Sequence, residues 1–119
     1  MNKEFAEKFG EEWIAAWNSQ DIDRVLSHYA EDFEMMSPVI RKLGNEPDGI
    51  LKGKNALRDH WSKALAANPE LNFKLLNTFA GVDSIVVHYL GHRGLSAEVF
   101  YFDDKGKVNR AHAHYEQDI

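Results

Sequence analysis

Apolar residues in the first part of the chain recur at helical spacing. Phe5, Phe9, Trp13 and Trp17 fall on one face, and charged residues fill most of the other positions, which predicts an amphipathic helix with an aromatic face. Asp21 is suited to be the N-cap of a second, shorter helix, because apolar residues follow it at positions i, i+3, i+4 and i+7. These residues are Ile22, Val25, Leu26 and Tyr29. The chain is therefore predicted to open with two helices.

The pattern changes twice in the middle of the chain. Residues 33–37 have an extended character, and Pro38 disfavours helix at the residue before it, so a first strand is predicted here. Turn-forming residues are frequent over 39–53, which predicts a surface loop. Apolar residues then return at helical spacing over 54–67 and stop at Asn68-Pro69, which predicts a third helix.

Four extended segments follow, separated by Gly, Asp or Asn, over residues 71–79, 84–90, 95–102 and 108–116. Each has the composition of a strand, and their short connections favour antiparallel pairing. The order of elements predicts one α+β domain over residues 1–119, with three helices on one face of a strongly curved, mainly antiparallel sheet. Such a sheet is expected to leave an apolar cleft at its mouth, where a small molecule binds.

Composition narrows the possible functions. The 14 Lys and Arg against 19 Asp and Glu give a formal net charge of −5, so a nucleic acid has little electrostatic reason to bind. Cysteine is absent, which excludes thiol nucleophiles and thiolate metal sites. The first residues are rich in charge, and no apolar run approaches the ~20 residues of a membrane span. We expect a cytoplasmic protein with no cofactor and with no nucleic-acid or membrane partner.

Glu98 is the only charged residue in the apolar run from Leu95 to Phe102. Strand alternation places it on the same face as Ser96 and Phe100. An acid in this setting either pairs with a nearby arginine or histidine, such as Arg93, or keeps its proton because burial raises its pKa. The second alternative makes Glu98 a candidate proton donor.

His60 lies three residues after Leu57 and next to Trp61, at the edge of the apolar face of the third predicted helix. A neutral imidazole at the cleft is a candidate general base near neutral pH. The alternative is a histidine satisfied within the core. Both alternatives remain open from the sequence.

Polar residues alternate with small or aromatic ones along the last predicted strand, where His112, His114 and Glu116 share one face. Their spacing is a weak zinc signal, because histidines at i and i+2 lack the specificity of a helical HExxH motif. Strand alternation leaves two alternatives for His112 and His114, an outward role facing a second protomer, which we expect, and a role in the cavity. We expect no metal.

Three stretches of the chain resemble the nuclear transport factor 2-like superfamily, which includes ketosteroid isomerases and SnoaL-like cyclases. They are WIAAWNSQDIDRVLSHYAEDF at 13–33, LKGKNALR at 51–58 together with Trp61, and FYFDDKGKV at 100–108. The resemblance implies a cone-shaped, cystatin-like half barrel that dimerises through its outer sheet face. It also implies a pocket for a hydrophobic small molecule.

The isomerase pattern implies three chemical positions, a general base, an oxyanion tyrosine and a protonated acid. In this chain they fall on Ser37, Trp13 and Glu98, and only Glu98 keeps the required chemistry, since a hydroxyl is no base for a carbon acid and an indole is no phenol. The resemblance, together with the apolar faces, gives a predicted set of substrate-binding residues. The set is Trp13, Trp17, Tyr29, Met35, Ser37, Trp61, Phe100 and Tyr115.

The sequence thus predicts a SnoaL-like protein that acts on a hydrophobic carbonyl compound as an isomerase, cyclase or dehydratase, with Glu98 as the acid and His60 as the base. The alternative is a non-catalytic dimeric module that binds a ligand or a protein.

Overall fold

A computed structural model describes all 119 residues, which form four helices and one six-stranded sheet. The helices are α1 (Lys3–Asn18), α2 (Ile22–Leu26), α3 (Pro38–Leu43) and α4 (Lys54–Ala67). The strands are β1 (Tyr29–Met36), β2 (Ile50–Lys52), β3 (Lys74–Ala80), β4 (Ser84–Gly91), β5 (Gly94–Phe102) and β6 (Val108–Tyr115). Their order in the sheet is β2-β1-β6-β5-β4-β3, and only β1 and β6 pair in parallel. The predicted α+β architecture on a mainly antiparallel, curved sheet is confirmed.

The first helix packs directly on the sheet, and two local features allow this. Asn2 is its N-cap, and the Asn2 side chain accepts a hydrogen bond of 2.8 Å from the Phe5 backbone N–H. Gly10 faces β3, where a Cβ atom would come within 2.7 Å of Thr78 Cγ2. The missing side chain therefore lets α1 approach the sheet closely.

The second helix is shorter than the apolar spacing suggested. Asp21 is its N-cap, as predicted, but the helix ends at Leu26, and Tyr29 begins strand β1 instead of extending the helix. The Val108 N–H donates to the His28 carbonyl oxygen at 2.9 Å, and Tyr29 pairs with Val108. Tyr29 therefore pairs with β6 instead of continuing the helix.

The predicted loop over 39–53 contains two further elements, so the molecule has four helices instead of three. Ser37 is the N-cap of α3, with its Oγ accepting the Val39 N–H at 3.1 Å, and Pro38 occupies the first helical turn. Strand β2 then pairs with β1, with Leu51 opposite Met35. A six-residue helix has too few turns to show a periodic pattern, which is why the sequence did not reveal it.

The core lies between the helices and the inner sheet face. Aromatic rings fill one end of it, which we call the filled end and define by Phe9, Trp13, Tyr29, Phe33 and Phe100. Ring centroids there lie as close as 4.4 Å, between Tyr29 and Phe33, and 4.9 Å, between Phe9 and Phe100. None of the four helices has the length and apolar character needed to cross a bilayer.

Candidate functional site

A cavity of about 310 Å³ lies at the opposite end of the core, between the inner face of the sheet and helices α1, α3 and α4. Most of its wall is apolar or aromatic. Eight of the predicted site residues line it. They are Trp13, Trp17, Met35, Ser37, His60, Trp61, Glu98 and Tyr115. The mouth lies where the β4–β5 turn meets the carboxyl ends of α3 and α4, because the exposed residues Leu43, Ala67 and His92 belong to the wall there.

Tyr29 and Phe100 are the two predicted substrate-binding residues that do not line the cavity. Both are almost completely buried in the filled end, with exposures of 1% and 0%. Trp13 separates them from the cavity, since its ring lies 5.3 Å from Phe100 and its Nε1 donates to the Tyr29 hydroxyl oxygen at 2.9 Å. Both point into the core, but neither lines the cavity, and their role in substrate binding stays a prediction.

Glu98 stands on the cavity wall in the middle of β5, opposite Val87 on β4 and Ala113 on β6. It is 4% exposed and forms none of the ion pairs present in the structure. Burial raises its pKa to about 8, and the neighbouring Tyr89 hydroxyl offsets part of that shift. Of the two alternatives left by the sequence, the structure therefore favours a protonated, neutral acid at pH 7.

Two tyrosines flank this acid. Tyr89 on β4 and Tyr115 on β6 both lie opposite Ser96, one inward position along β5 from Glu98. Burial raises the pKa of Tyr89 well above its usual value and that of Tyr115 to about 12, and the nearby Glu98 carboxyl raises both further. Three groups that keep their protons at neutral pH therefore converge on one part of the wall.

Tyr89 was missing from the predicted set, although a signal for it exists in the sequence. Ile85, Val87 and Tyr89 alternate along β4, and all three are buried on the inner face. The same period-two argument that oriented Glu98 would have oriented Tyr89.

Ser37 is buried at the end of β1, and its side chain has a structural task. Its Oγ caps α3 by accepting a hydrogen bond from the Val39 N–H. The hydroxyl can at the same time donate its proton to Tyr115 or to a ligand. Met35 lies on the same inward face, as predicted, with 4% exposure. This part of the wall contributes a hydroxyl and a thioether but no base.

Two imidazoles line the cavity, one predicted and one missed. His60 on α4 is partly buried, and burial followed by the charge of Lys63 lowers its pKa, against a smaller opposing effect of Asp59. His92, in the β4–β5 turn, stacks on Phe73 with ring centroids 6.4 Å apart, and its pKa is lowered by burial and then by Arg93. Both rings are neutral at pH 7 and can accept a proton.

The remaining histidines of the strands lie on the outer face of the sheet. His112 faces outward opposite Val99 of β5, and His114 is exposed. Tyr101 packs between His112, at 5.6 Å, and the Arg110 guanidinium, at 4.2 Å from the ring centroid. No three His, Asp or Glu side chains gather closely enough to hold a metal ion.

The fold and the cavity define a class, a cystatin-like α+β protein with an acid in an apolar pocket, and the comparisons with known proteins give the family. A family model described as the SnoaL-like domain matches residues 11–118. The chain therefore belongs to the SnoaL-like family.

Several solved structures share this fold. A SnoaL-like protein of unknown function from Burkholderia thailandensis E264 is 46% identical, with a TM-score of 0.95 and 98% of each chain covered. The epoxide hydrolase/cyclase-like enzyme SalBIII, of pyran ring formation in the polyether salinomycin, is 15% identical, with a TM-score of 0.75 and coverage of 98% of this chain and 94% of that one.

A third structure, a protein of unknown function with a cystatin-like fold from Methylobium petroleophilum PM1, is 13% identical, with a TM-score of 0.76 and coverage of 98% of this chain and 79% of that one. The search of the curated proteins gives no match. The comparisons thus agree with the resemblance seen in the sequence and fix the family and the fold.

Proposed function

We propose that this protein binds a hydrophobic carbonyl compound in the cavity and promotes its isomerisation, cyclisation or dehydration. One observation carries the proposal: Glu98 is buried without an ion pair on the wall of an otherwise apolar cavity, with its pKa raised to about 8. A neutral carboxylic acid in such a place is costly unless it has a hydrogen-bonding partner. A ligand carbonyl oxygen is the partner that an acid proton suits.

The chemistry follows from the groups that surround this acid. Glu98 donates a hydrogen bond to the carbonyl oxygen, and that bond strengthens when an adjacent C–H bond is broken and negative charge moves onto the oxygen. Tyr89 and Tyr115 supply further donors beside it. His60, neutral at pH 7, accepts the proton from carbon and returns it to the product.

Binding is tested by thermal shift with apolar ketones and with hydrocarbons of matching shape. Ketones should raise the melting temperature more than the hydrocarbons, because only a ketone can accept the acid proton of Glu98. Glu98→Gln keeps a donor but removes the titratable proton, and Glu34→Gln, a partly exposed site in β1, is the matched control. Equal shifts for ketones and hydrocarbons would contradict the proposal.

Catalysis is tested by deuterium uptake at the carbon next to the carbonyl group, followed by NMR in heavy water. The wild-type protein should accelerate uptake, and Glu98→Gln should bind the ketone while losing most of the acceleration. His60→Gln should also lose it, whereas His92→Gln should not. If the loss follows His92 instead, the base has been assigned to the wrong imidazole.

The second candidate is a non-catalytic dimeric module that binds a ligand or a protein partner. The observation favouring it is Ser37, because this residue occupies the base position of the isomerase pattern and its Oγ caps a helix. In this case ketones bind, deuterium uptake stays at the uncatalysed rate in every variant, and sedimentation gives a dimer joined through the outer sheet face.

A further inference from the structure

The charge of the cavity wall is one-sided. Its ionisable residues other than the tyrosines are Lys63, Arg93, His60, His92 and Glu98, and Glu98 is the only carboxyl among them. Because Glu98 keeps its proton at neutral pH, the wall then carries two cations and no anion. A ligand that fills this cavity therefore meets a positive wall.

The two cations differ in how far they are already neutralised. Lys63 is exposed on α4 and pairs with Asp59 at 3.1 Å. Arg93 is partly buried in the β4–β5 turn and takes part in none of the ion pairs of the chain. Arg93 is thus the cation at the mouth whose five donors are free to bind an anion.

The acids near Arg93 are the side chain of Asp118 and the carboxyl group of Ile119, the last residue of the sequence. Asp118 lies in a depression that adjoins the mouth and that Lys42 and Arg93 also line, and Asp118 forms an ion pair with neither. The carboxyl end of α4 opposes an anion at this mouth with a partial charge of about half a unit. Lys42 offsets part of the negative charge in this depression, and of the two cations only Arg93 also lines the cavity, so Arg93 is the one that faces a ligand there.

The pKa values of titratable side chains on the cavity wall are lowered by these cations. Arg93 lowers the pKa of His92 and contributes a lowering to that of Tyr115. Lys63 lowers the pKa of His60 more than Asp59 raises it. Arg93 and Lys63 thus act on groups that line the cavity, although the Glu98 carboxyl has the larger, opposite effect on the pKa of Tyr115.

From the free cation at the mouth and the unpaired acid inside, we infer that the natural ligand is an amphipathic oxo acid, with its carbonyl group at Glu98 and its carboxylate at Arg93. This inference rests on the proposed function, since it uses the same carbonyl contact. Gly94 and Glu98 are four steps apart along the extended strand β5, a distance of about 13 Å, and the Arg93 side chain covers part of that length. An apolar body of about 10 Å therefore separates the two oxygen groups of the ligand.

The test compares three probes of similar shape: 9-oxodecanoate, its methyl ester, and decan-2-one. Affinities are measured by titration calorimetry for the full chain and for Arg93→Gln, with Lys105→Gln in the exposed β5–β6 turn as the matched control for loss of one positive charge. The wild-type protein should prefer the acid to the ester about tenfold at low ionic strength, and added salt should reduce this preference.

Arg93→Gln should abolish the preference while the ester keeps its affinity, and Lys105→Gln should change neither. Equal binding of acid and ester by the wild-type protein, or a preference that survives in Arg93→Gln, would overturn the inference. Binding of the ester and ketone without any preference for the acid would leave the carbonyl proposal standing. Failure of all three probes to bind would overturn both.

Discussion

The two ends of the core share strand β5 but receive different types of side chain from it. At the filled end β5 contributes Phe100, which is fully buried among aromatic rings, and two residues away at the cavity end it contributes Glu98. The buried serine and glutamate side chains are Ser37, Ser96 and Glu98, of which Ser37 and Glu98 line the cavity and Ser96 lies two residues from Glu98 on β5. A buried polar group costs stability unless it is hydrogen-bonded, so we expect the aromatic filled end to contribute more to stability and the cavity end to carry the chemistry.

The largest effect on this division is expected from the filled end. Phe100→Ala removes a fully buried ring from the contact with Phe9 and Trp13 and should lower the free energy of unfolding by about 3–5 kcal/mol. Phe79→Ala is the control, because Phe79 is 56% exposed. Urea denaturation measures the free energy of unfolding of the two variants. A similar loss for both would contradict the idea that the filled end contributes most to stability.

The next effect belongs to the cavity end and depends on pH. Burial raises the pKa of Glu98 from 4.5 to about 8, so its contribution to folding is fully present below about pH 4.5 and is lost as the pH rises through 8. Stability of the wild type relative to Glu98→Gln should fall by up to about 1.4 kcal/mol per pH unit within this window. A difference that stays constant from pH 5 to pH 8 would show that the acid is not buried in its neutral form.

A smaller difference in stability is expected between variants of two α1 tryptophans, Trp13 and Trp17, which both line the cavity. The Trp13 indole N–H is bonded to Tyr29, whereas the buried Trp17 N–H has no partner. Trp13→Phe should therefore cost about 1 kcal/mol more than Trp17→Phe, since only the first substitution breaks a hydrogen bond. Paired denaturation curves measure this, and a larger cost at Trp17 would contradict the assignment.

The smallest expected effect concerns ligand affinity. Tyr89→Phe removes a hydroxyl beside Glu98 and should weaken ketone binding about fivefold, consistent with one neutral hydrogen bond. His114→Ala on the outer face should leave the affinity unchanged, because that residue is on the far side of the sheet. Calorimetry of both variants provides the check. An equal loss in His114→Ala would mean that the two sheet faces are coupled.

Much of this division was predictable from sequence, and the two residues that were wrongly placed at the cavity share one cause. Alternation gave the inward direction of Glu98, Met35 and Ser37, and helical spacing gave α4 over the range observed. Periodicity reports which way a side chain points, but not how far along the core it lies. Tyr29 and Phe100 were therefore assigned to the cavity although they fill the other end.

His92 and Arg93 at the mouth were not predicted as cavity residues for a different reason. His92 and Arg93 occupy a turn, where no repeating pattern defines a direction, and they reach the cavity only because β4 and β5 place that turn beside the ends of α3 and α4. Likewise, α3 depends on the Ser37 cap and on packing over the cavity. Tertiary placement determines the position of the turn, whereas α3 does have a local start signal in Ser37 and Pro38 but is too short to show apolar periodicity.

The tryptophans of the cavity wall have an optical consequence. The chain contains three tryptophans, and all of them line the cavity. Indole emission depends on the polarity and the quenching groups around the ring, so a molecule that enters the cavity changes the surroundings of all three tryptophans at once. A partner that docks on the outer sheet face touches none of them. Intrinsic fluorescence therefore distinguishes an occupant of the interior from a partner on the exterior without any added label.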